Sequence, residues 1–303
     1  MENIILIFVC LFVGVVLQRV KDFPQNSHQV LNQFVIHISL PALAFYYIPK
    51  IKITSDLLYP LAVAWIGFGL SFLFFALLGK SLGWSKKLIG CLVLTAGLGN
   101  TAFIGFPVIE ALYGKEGLET AIIIDQPGSF VVLSTLGILV ASYYSRGTAS
   151  ASMILRKILF FPPFIGFAIA LLMNIFKYDF VQELQIVFQK LGATVTPIAL
   201  IAVGLQLTFE RKSKHWQFLT LGLAFKLLIM PAFIMVLYLF ILGKSGAIFD
   251  ISIMEAAMAP MITASILAST YSLKPRLSSM MIGFGIPISF LTLAFWYWIL
   301  QIV

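Results

Sequence analysis

One stretch of the chain decides the fold: Gly97-Leu-Gly-Asn-Thr-Ala-Phe-Ile-Gly-Phe-Pro107. It places three glycines, an asparagine and a proline inside a run that is otherwise apolar. Proline removes a backbone N–H and glycine lowers helix propensity, so a helix through this stretch is predicted to unwind. A second stretch of the same kind, Ala256-Ala-Met-Ala-Pro-Met-Ile-Thr-Ala-Ser265, follows in the second half of the chain. The sequence therefore predicts two interrupted helices.

The composition around these stretches is that of an integral membrane protein. Of the 303 residues, 60% are apolar and 11% are charged, and the mean hydropathy is +1.02. A soluble domain carries about 25% charged residues, so a water-soluble enzyme is excluded. The alternating polar pattern of membrane barrel strands does not occur, which predicts an all-α fold. The net charge of +8 resides in short loops and indicates topology, not nucleic-acid binding.

Ten candidate spans appear when the chain is divided at clusters of charged and turn residues, because a span needs about 20 apolar residues. They cover approximately 3–20, 29–48, 57–79, 87–113, 118–145, 157–176, 184–208, 217–242, 250–271 and 277–302. The connections on one side hold 13 Lys and Arg, and those on the other side hold six. The positive-inside rule assigns the richer side to the cytoplasm and predicts both termini outside.

Short phrases recur in the same order in the two halves of the chain. One example is Leu-Gly-Lys-Ser, which occurs at 78–81 and again at 242–245. Each half holds five predicted spans, an odd number, so the second half must cross the membrane in the opposite sense. The sequence thus predicts two inverted five-helix repeats, 1–150 and 151–303, within a single domain. This architecture is common among secondary transporters.

Interrupted helices at matching places in two repeats are a pointer to a transporter's binding site. Unwound backbone leaves N–H and C=O groups that a ligand can use, and half-helix N-termini attract anions such as carboxylates. The alternative is that these residues only kink the helices, that Asn100 links helices, and that hydroxyls next to prolines satisfy the freed backbone. The candidate substrate-binding residues lie in the breaks or in the hydroxyl–proline pairs of spans 2 and 7: Asn100, Thr101, Gly105, Pro107, Pro260, Met261, Ser265, Ser39, Pro41, Thr196 and Pro197.

Ionisable side chains inside spans are costly and are candidates for function. Asp125, Glu255 and Lys226 are the candidates for ion coupling, because a buried carboxylate can carry a coupling ion and a buried lysine needs a partner. The alternatives are that Glu255 is interfacial and that Lys226 helps to hold the anion. No phosphate-binding loop, metal motif or catalytic triad is recognisable, so the sequence predicts neither an enzyme nor a bound cofactor.

The string Asn100-Thr-Ala-Phe-Ile-Gly-Phe-Pro107, followed by Ala111-Leu-Tyr-Gly114, resembles the auxin efflux carrier family of plant auxin exporters and bacterial organic-acid permeases. The resemblance covers essentially the whole chain. It implies a ten-helix fold like that of bile-acid sodium symporters, in which helices 4 and 9 cross. It also implies an elevator movement, with Asn100 contacting a substrate carboxylate. Gly99 and Ala259 depart from the family pattern, since plant members have proline at both places.

Together these features predict a secondary active transporter of small organic anions, such as malate, malonate or auxin-like aromatic acids. Protons, sodium or the membrane potential would drive it. The alternatives are an anion channel or a membrane sensor that binds a ligand without moving it. The predicted partners are a small carboxylate, the lipid bilayer of the plasma membrane and a second copy in a homodimer.

Overall fold

A computed structural model of the chain describes residues 2–24, 26–145, 152, 156, 159–207 and 215–303. The predicted repeat boundary at 150 and 151 lies outside these residues, as do 157, 158 and 208 at the edges of predicted spans. Some basic residues behind the predicted orientation are also outside them, namely Arg146, Lys157, Arg211, Lys212 and Lys214. Among the described residues, every regular element is helical, and extended pairing is limited to one isolated bridge.

The described part of the chain forms helices that we number in order. They are α1 Glu2–Leu17, α2 Ser27–Lys50, α3 Ser55–Ser81, α4 Lys86–Gly97, α5 Thr101–Tyr113, α6 Gly117–Ser145, α7 Pro162–Ile175, α8 Gln182–Gln206, α9 Trp216–Ile241, α10 Ala247–Ala256, α11 Ile262–Thr270 and α12 Pro275–Leu300. Within the described ranges, six of them are long and apolar enough to cross a membrane: α2, α3, α6, α8, α9 and α12. The arrangement of ten spans in two inverted repeats stays a prediction.

In three of the wide turns, where the backbone hydrogen bonds follow π-helical spacing, a proline follows the turn at the same distance. The turns are Val35–Ser39, Thr101–Gly105 and Phe225–Ile229, and the prolines are Pro41, Pro107 and Pro231. A proline cannot donate to the carbonyl four residues earlier, and its ring crowds that carbonyl. Since that carbonyl lies inside the turn in each case, the helix widens there instead of continuing as a regular α-helix.

The chain forms two compact units that are interleaved in sequence. The first unit comprises Met1–Ser55, Ala102–Ile122 and Arg156–Leu207. In it, α8 packs along α1 and α2, and α7 packs on α2. Helices α1 and α8 approach each other closely, since a Cβ atom on Gly14 would lie 2.8 Å from the Cα atom of Gly204. Glycine at both positions lets the two backbones touch.

The second unit comprises Asp56–Thr101, Ile123–Leu155 and Thr208–Val303. Helix α4 is its centre, because every residue from Leu88 to Gly97 is buried. Helices α3, α6, α9, α11 and α12 pack around it. A helix that is apolar on all sides requires such a covering, so the sequence of α4 suits this central place.

Candidate functional site

Two interruptions of helices, called the breaks below, lie side by side in the second unit. Helix α4 ends at Gly97 and α5 begins at Thr101, while α10 ends at Ala256 and α11 begins at Ile262. The residues between them form a short antiparallel pair centred on Gly99 and Pro260. The backbone N–H of Asn100 donates to the Ala259 carbonyl at 2.8 Å, and that of Met261 donates to the Leu98 carbonyl at 3.0 Å. Each break thus supplies hydrogen-bond partners to backbone groups of the other.

The residue types explain this pairing. Gly99 and Pro260 occupy the pair of an antiparallel ladder that exchanges no hydrogen bonds, so the missing N–H of proline costs nothing there. On the other strand, Gly99 makes room for a side chain from α9. A Cβ atom at Gly99 would lie 3.1 Å from the Lys226 Nζ atom and 3.2 Å from the Glu255 carbonyl oxygen.

The predicted residue Asp125 lies next to the first break. Its Oδ1 atom accepts a hydrogen bond from the Thr101 hydroxyl at 2.6 Å, and its Oδ2 atom accepts one from the Gln126 amide at 2.6 Å. All three side chains are buried. Asp125 and Gln126 belong to the wide turn Ile124–Phe130 of α6, which contains Pro127. Sequence reasoning missed Gln126, although its place beside an intramembrane acid was a usable signal.

Lys226 lies next to the second break. Its ammonium group is fully buried and donates to the carbonyl of Ala256, the last residue of α10, at 2.7 Å. The last carbonyls of a helix lack helical partners and carry partial negative charge, so a cation suits this place. The Met230 sulfur lies 3.5 Å from the same nitrogen.

Glu255 precedes Ala256 in α10 and is 1% exposed. Both of its carboxylate oxygens are buried, and neither has a hydrogen-bond partner within the described part of the chain. The charges of Asp125 and Lys226 act on it. The sequence proposed these three residues separately, and the fold brings them together beside the paired breaks. No group of three or more His, Cys, Asp or Glu side chains in the described ranges is arranged to hold a metal ion.

Ser265, the last predicted residue of the second break, is engaged with a neighbouring helix. Its hydroxyl lies 2.6 Å from the Ser278 hydroxyl, and each side chain also bonds the other's backbone carbonyl. These bonds join α11 to α12. Of the predicted substrate-binding residues in the second unit, Asn100, Thr101, Pro260 and Met261 remain at the breaks themselves.

The other predicted residues lie in the first unit. There the Ser39 and Thr194 hydroxyls are 2.7 Å apart, and the Thr196 hydroxyl donates to a Glu110 carboxylate oxygen at 2.9 Å. Pro41 packs against Gly166 of α7, where a Cβ atom on the glycine would lie 3.0 Å from the Pro41 Cα atom. The remaining members of the predicted set are Gly105 and Pro107 in α5 and Pro197 in α8.

A family model described as membrane transport protein matches residues 1–297 of the chain. This chain belongs to the auxin efflux carrier family. An uncharacterized transporter of this family from Methanothermobacter thermautotrophicus is 27% identical over 297 residues, which cover 97% of this chain and 96% of the relative. A second uncharacterized transporter, from Methanocaldococcus jannaschii, is 26% identical over 308 residues, covering 99% of this chain and 98% of the relative.

Membership of the auxin efflux carrier family confirms the resemblance drawn from the Asn100–Pro107 and Ala111–Gly114 strings. The family is one of membrane transporters, in agreement with the apolar helices of span length. Its members act on small molecules from within the bilayer, which makes lipid and a small-molecule substrate the partners of this chain.

Proposed function

We propose that this protein is a secondary active transporter of small organic anions, with carboxylates such as malate, malonate or auxin-like aromatic acids as substrates. The observation that carries the proposal is the pair of helix breaks held together at Gly99 and Pro260. Non-helical backbone at membrane depth is tolerated where it is buried in protein or lines a cavity. Paired breaks in a membrane transporter are therefore the best place for its substrate.

Two positive groups beside the breaks favour an anion. Helix α11 begins at Ile262, directly after the second break, and its first N–H groups carry the partial positive charge of a helix N-terminus. The Lys226 ammonium lies close to Gly99. We assign the substrate carboxylate to Asn100, Thr101, Pro260 and Met261. Ser265 and the predicted residues of the first unit stabilise the helices in which they themselves lie.

The presence of two compact units supports a proposal for the transport cycle. We propose an elevator-type alternating access in which one compact unit is the scaffold and the other carries the substrate. Asp125, Glu255 and Lys226 couple this movement to an ion. The helices form ten spans in two inverted five-helix repeats, and spans 4 and 9 cross at the breaks. The protein works as a homodimer in the plasma membrane, with both termini on the extracytoplasmic side.

Charge movement in reconstituted liposomes tests the proposal. The protein is adsorbed on a supported membrane and exposed in turn to malate, malonate, succinate, lactate, benzoate and indole-3-acetate. We expect a saturable current for at least one acid, and at least a tenfold loss of current in Asn100→Ala. Asn32→Ala is the matched control, because Asn32 is a half-buried asparagine of α2 in the first unit, whereas the breaks belong to the second. Equal currents in both variants would contradict the assignment of the site.

Counterflow separates the transporter from the two alternatives. A carrier preloaded with unlabelled acid accelerates uptake of the labelled acid, whereas a channel gives flux that does not saturate and no counterflow. A sensor is stabilised thermally by its ligand but moves none of it. Stabilisation without any flux would contradict transport.

A further inference from the structure

The three buried ionisable groups of the second unit do not balance in charge. Asp125 and Glu255 contribute two negative charges when ionised, and Lys226 contributes one positive charge. They are 4%, 1% and 0% exposed. An uncompensated charge in a buried site costs several kcal/mol in practice, so the group gains a counter-charge or becomes neutral. The cluster therefore takes up one more positive charge, and the geometry indicates which one and where.

Asp125 has hydrogen-bond donors on both of its carboxylate oxygens. Both of its oxygens accept short hydrogen bonds from Thr101 and Gln126, and such bonds favour the charged form of a carboxyl group. Glu255 is the opposite case, because neither of its buried oxygens has a hydrogen-bond partner among the described residues. A neutral carboxylic acid is far cheaper to bury in this way than a carboxylate.

The site does not suit a sodium ion as the source of this additional positive charge. Hard cations require several oxygen ligands, and half-helix C-terminal carbonyls are typical ones in transporters. Here the corresponding carbonyl, that of Ala256, already accepts from the Lys226 ammonium at 2.7 Å. The oxygens of Asp125 are likewise engaged by Thr101 and Gln126. The lysine nitrogen occupies the place at which a bound cation would be held.

The neighbouring helices bring no further charge to Glu255. Helices α3, α9 and α12 pack against or next to α10 in the second unit. Apart from Lys226, their ionisable residues lie near the helix ends: Asp56, Tyr59 and Lys80 in α3, Tyr238 in α9, and Arg276 and Tyr297 in α12. Asp250 lies in the first turn of α10 itself. The charges that act on Glu255 are those of Asp125 and Lys226.

We propose that Glu255 binds the single coupling proton of this transporter, and that Lys226 acts as a built-in cation that excludes sodium. The proton comes from water on one side, converts the Glu255 carboxylate to the acid, and returns to water on the other side. The inference rests on the proposed transport function, because only a moving site makes a bound proton a coupling ion.

Infrared spectroscopy tests the proton without any substrate. A buried carboxylic acid has a carbonyl stretch that shifts on transfer to deuterated water. In the reconstituted wild-type protein at neutral pH, we expect one such band, shifted by carbon-13 labelling of glutamate and not by labelling of aspartate. Labelling needs no substitution, so the result does not depend on the folding of a variant. No band at neutral pH, or a band that shifts with labelled aspartate, would overturn the proposal.

Transport of labelled malonate, or of another acid that the panel identifies, tests the coupling. For one proton per substrate, accumulation rises about tenfold for each unit of inward pH gradient, at fixed membrane potential. We expect Glu255→Gln to lose this dependence and Asp250→Asn, an acid of the same helix, to keep it. Replacing choline by sodium should leave both accumulation and thermal stability of the wild type unchanged.

The outcomes distinguish the two proposals. If no acid of the panel is transported while the glutamate band is present, the transport function fails and the protonated Glu255 stands. If an acid is transported but its accumulation follows sodium, or ignores pH in the wild type, the proton proposal fails and the transport function stands.

Discussion

Gly99 is the residue at which the backbone pairing and the buried charges meet. It faces Pro260 across the pair of breaks, and the space above its Cα atom is occupied by Lys226 and Glu255. Glycine at this position leaves room for the lysine side chain.

Substitution of Gly99 by alanine should therefore be damaging. The new methyl group would lie 3.2 Å from the Glu255 carbonyl oxygen, which is backbone and cannot move cheaply. We expect a loss of about 1–3 kcal/mol in the free energy of unfolding and a lower transport rate, measured by denaturant unfolding in detergent and by liposome uptake.

Gly69→Ala is the matched control for this substitution. Gly69 lies within α3 of the same unit, and a Cβ atom there would meet nothing within 4 Å. Alanine should stabilise that helix by up to about 1 kcal/mol. If the two variants unfold alike, the crowding at Gly99 is not what the structure indicates.

Thr101 provides a second test at the residue scale. Thr101→Val keeps the shape of the side chain but leaves Asp125 Oδ1 without its donor. A hydrogen bond to a charged group is worth about 1.5–3 kcal/mol, so the unfolding free energy should fall by that amount. Thr101→Ser retains the hydroxyl and should lose less than half as much. A serine variant as unstable as the valine variant would argue against the hydrogen bond as the cause.

At the scale of elements, the two breaks depend on each other. Each extended segment supplies one N–H and one C=O to the other, so neither helix interruption is satisfied by its own chain. Pro107, Pro41 and Pro231 produce a milder effect, a wide turn inside a continuous helix. At these three places a proline accompanies a widened turn, and the complete breaks occur where two extended segments pair.

Removal of one N–H at the breaks tests this dependence. Met261 has φ −69°, which proline also adopts, so Met261→Pro removes the bond to the Leu98 carbonyl with little backbone strain. We expect a loss of about 1–3 kcal/mol in unfolding free energy together with loss of transport. Met261→Leu keeps the N–H and should unfold like the wild type. Proline and leucine variants of equal stability would show that this bond contributes nothing.

For the whole molecule, the distribution of basic residues predicts the orientation in the membrane. Thirteen Lys and Arg in the predicted connections on one side against six on the other predict that both termini lie outside. Alkaline phosphatase fused after Val303 should be active, and green fluorescent protein fused there should be dark. The same reporters fused after Ser272, between the last two predicted spans, should behave in the opposite way. Fluorescence of the Val303 fusion would reverse the proposed topology.

The whole molecule also relates the predicted repeats to the compact units. The predicted repeats 1–150 and 151–303 concern the direction in which each half of the chain crosses the membrane. The compact units are defined by how the helices pack, and each unit contains segments from both halves of the chain. A repeat pattern in the sequence does not specify how the helices pack, because the contacts that join α1 to α8 or α4 to α11 link distant segments of the chain.

The sequence by itself determined the membrane class, the family and the positions of the two breaks. Long apolar runs, prolines and glycines act on the backbone within a few residues, so their effect is local and readable. Only the tertiary structure decided which side chains meet: Asp125 with Thr101 and Gln126, Lys226 with the Ala256 carbonyl, and Ser265 with Ser278. Glu255, whose carboxylate has no hydrogen-bond partner among the described residues, was singled out among the three candidates for ion coupling only when burial and these contacts were known. Such pairings depend on how helices pack across long stretches of chain, and no local pattern specifies that packing.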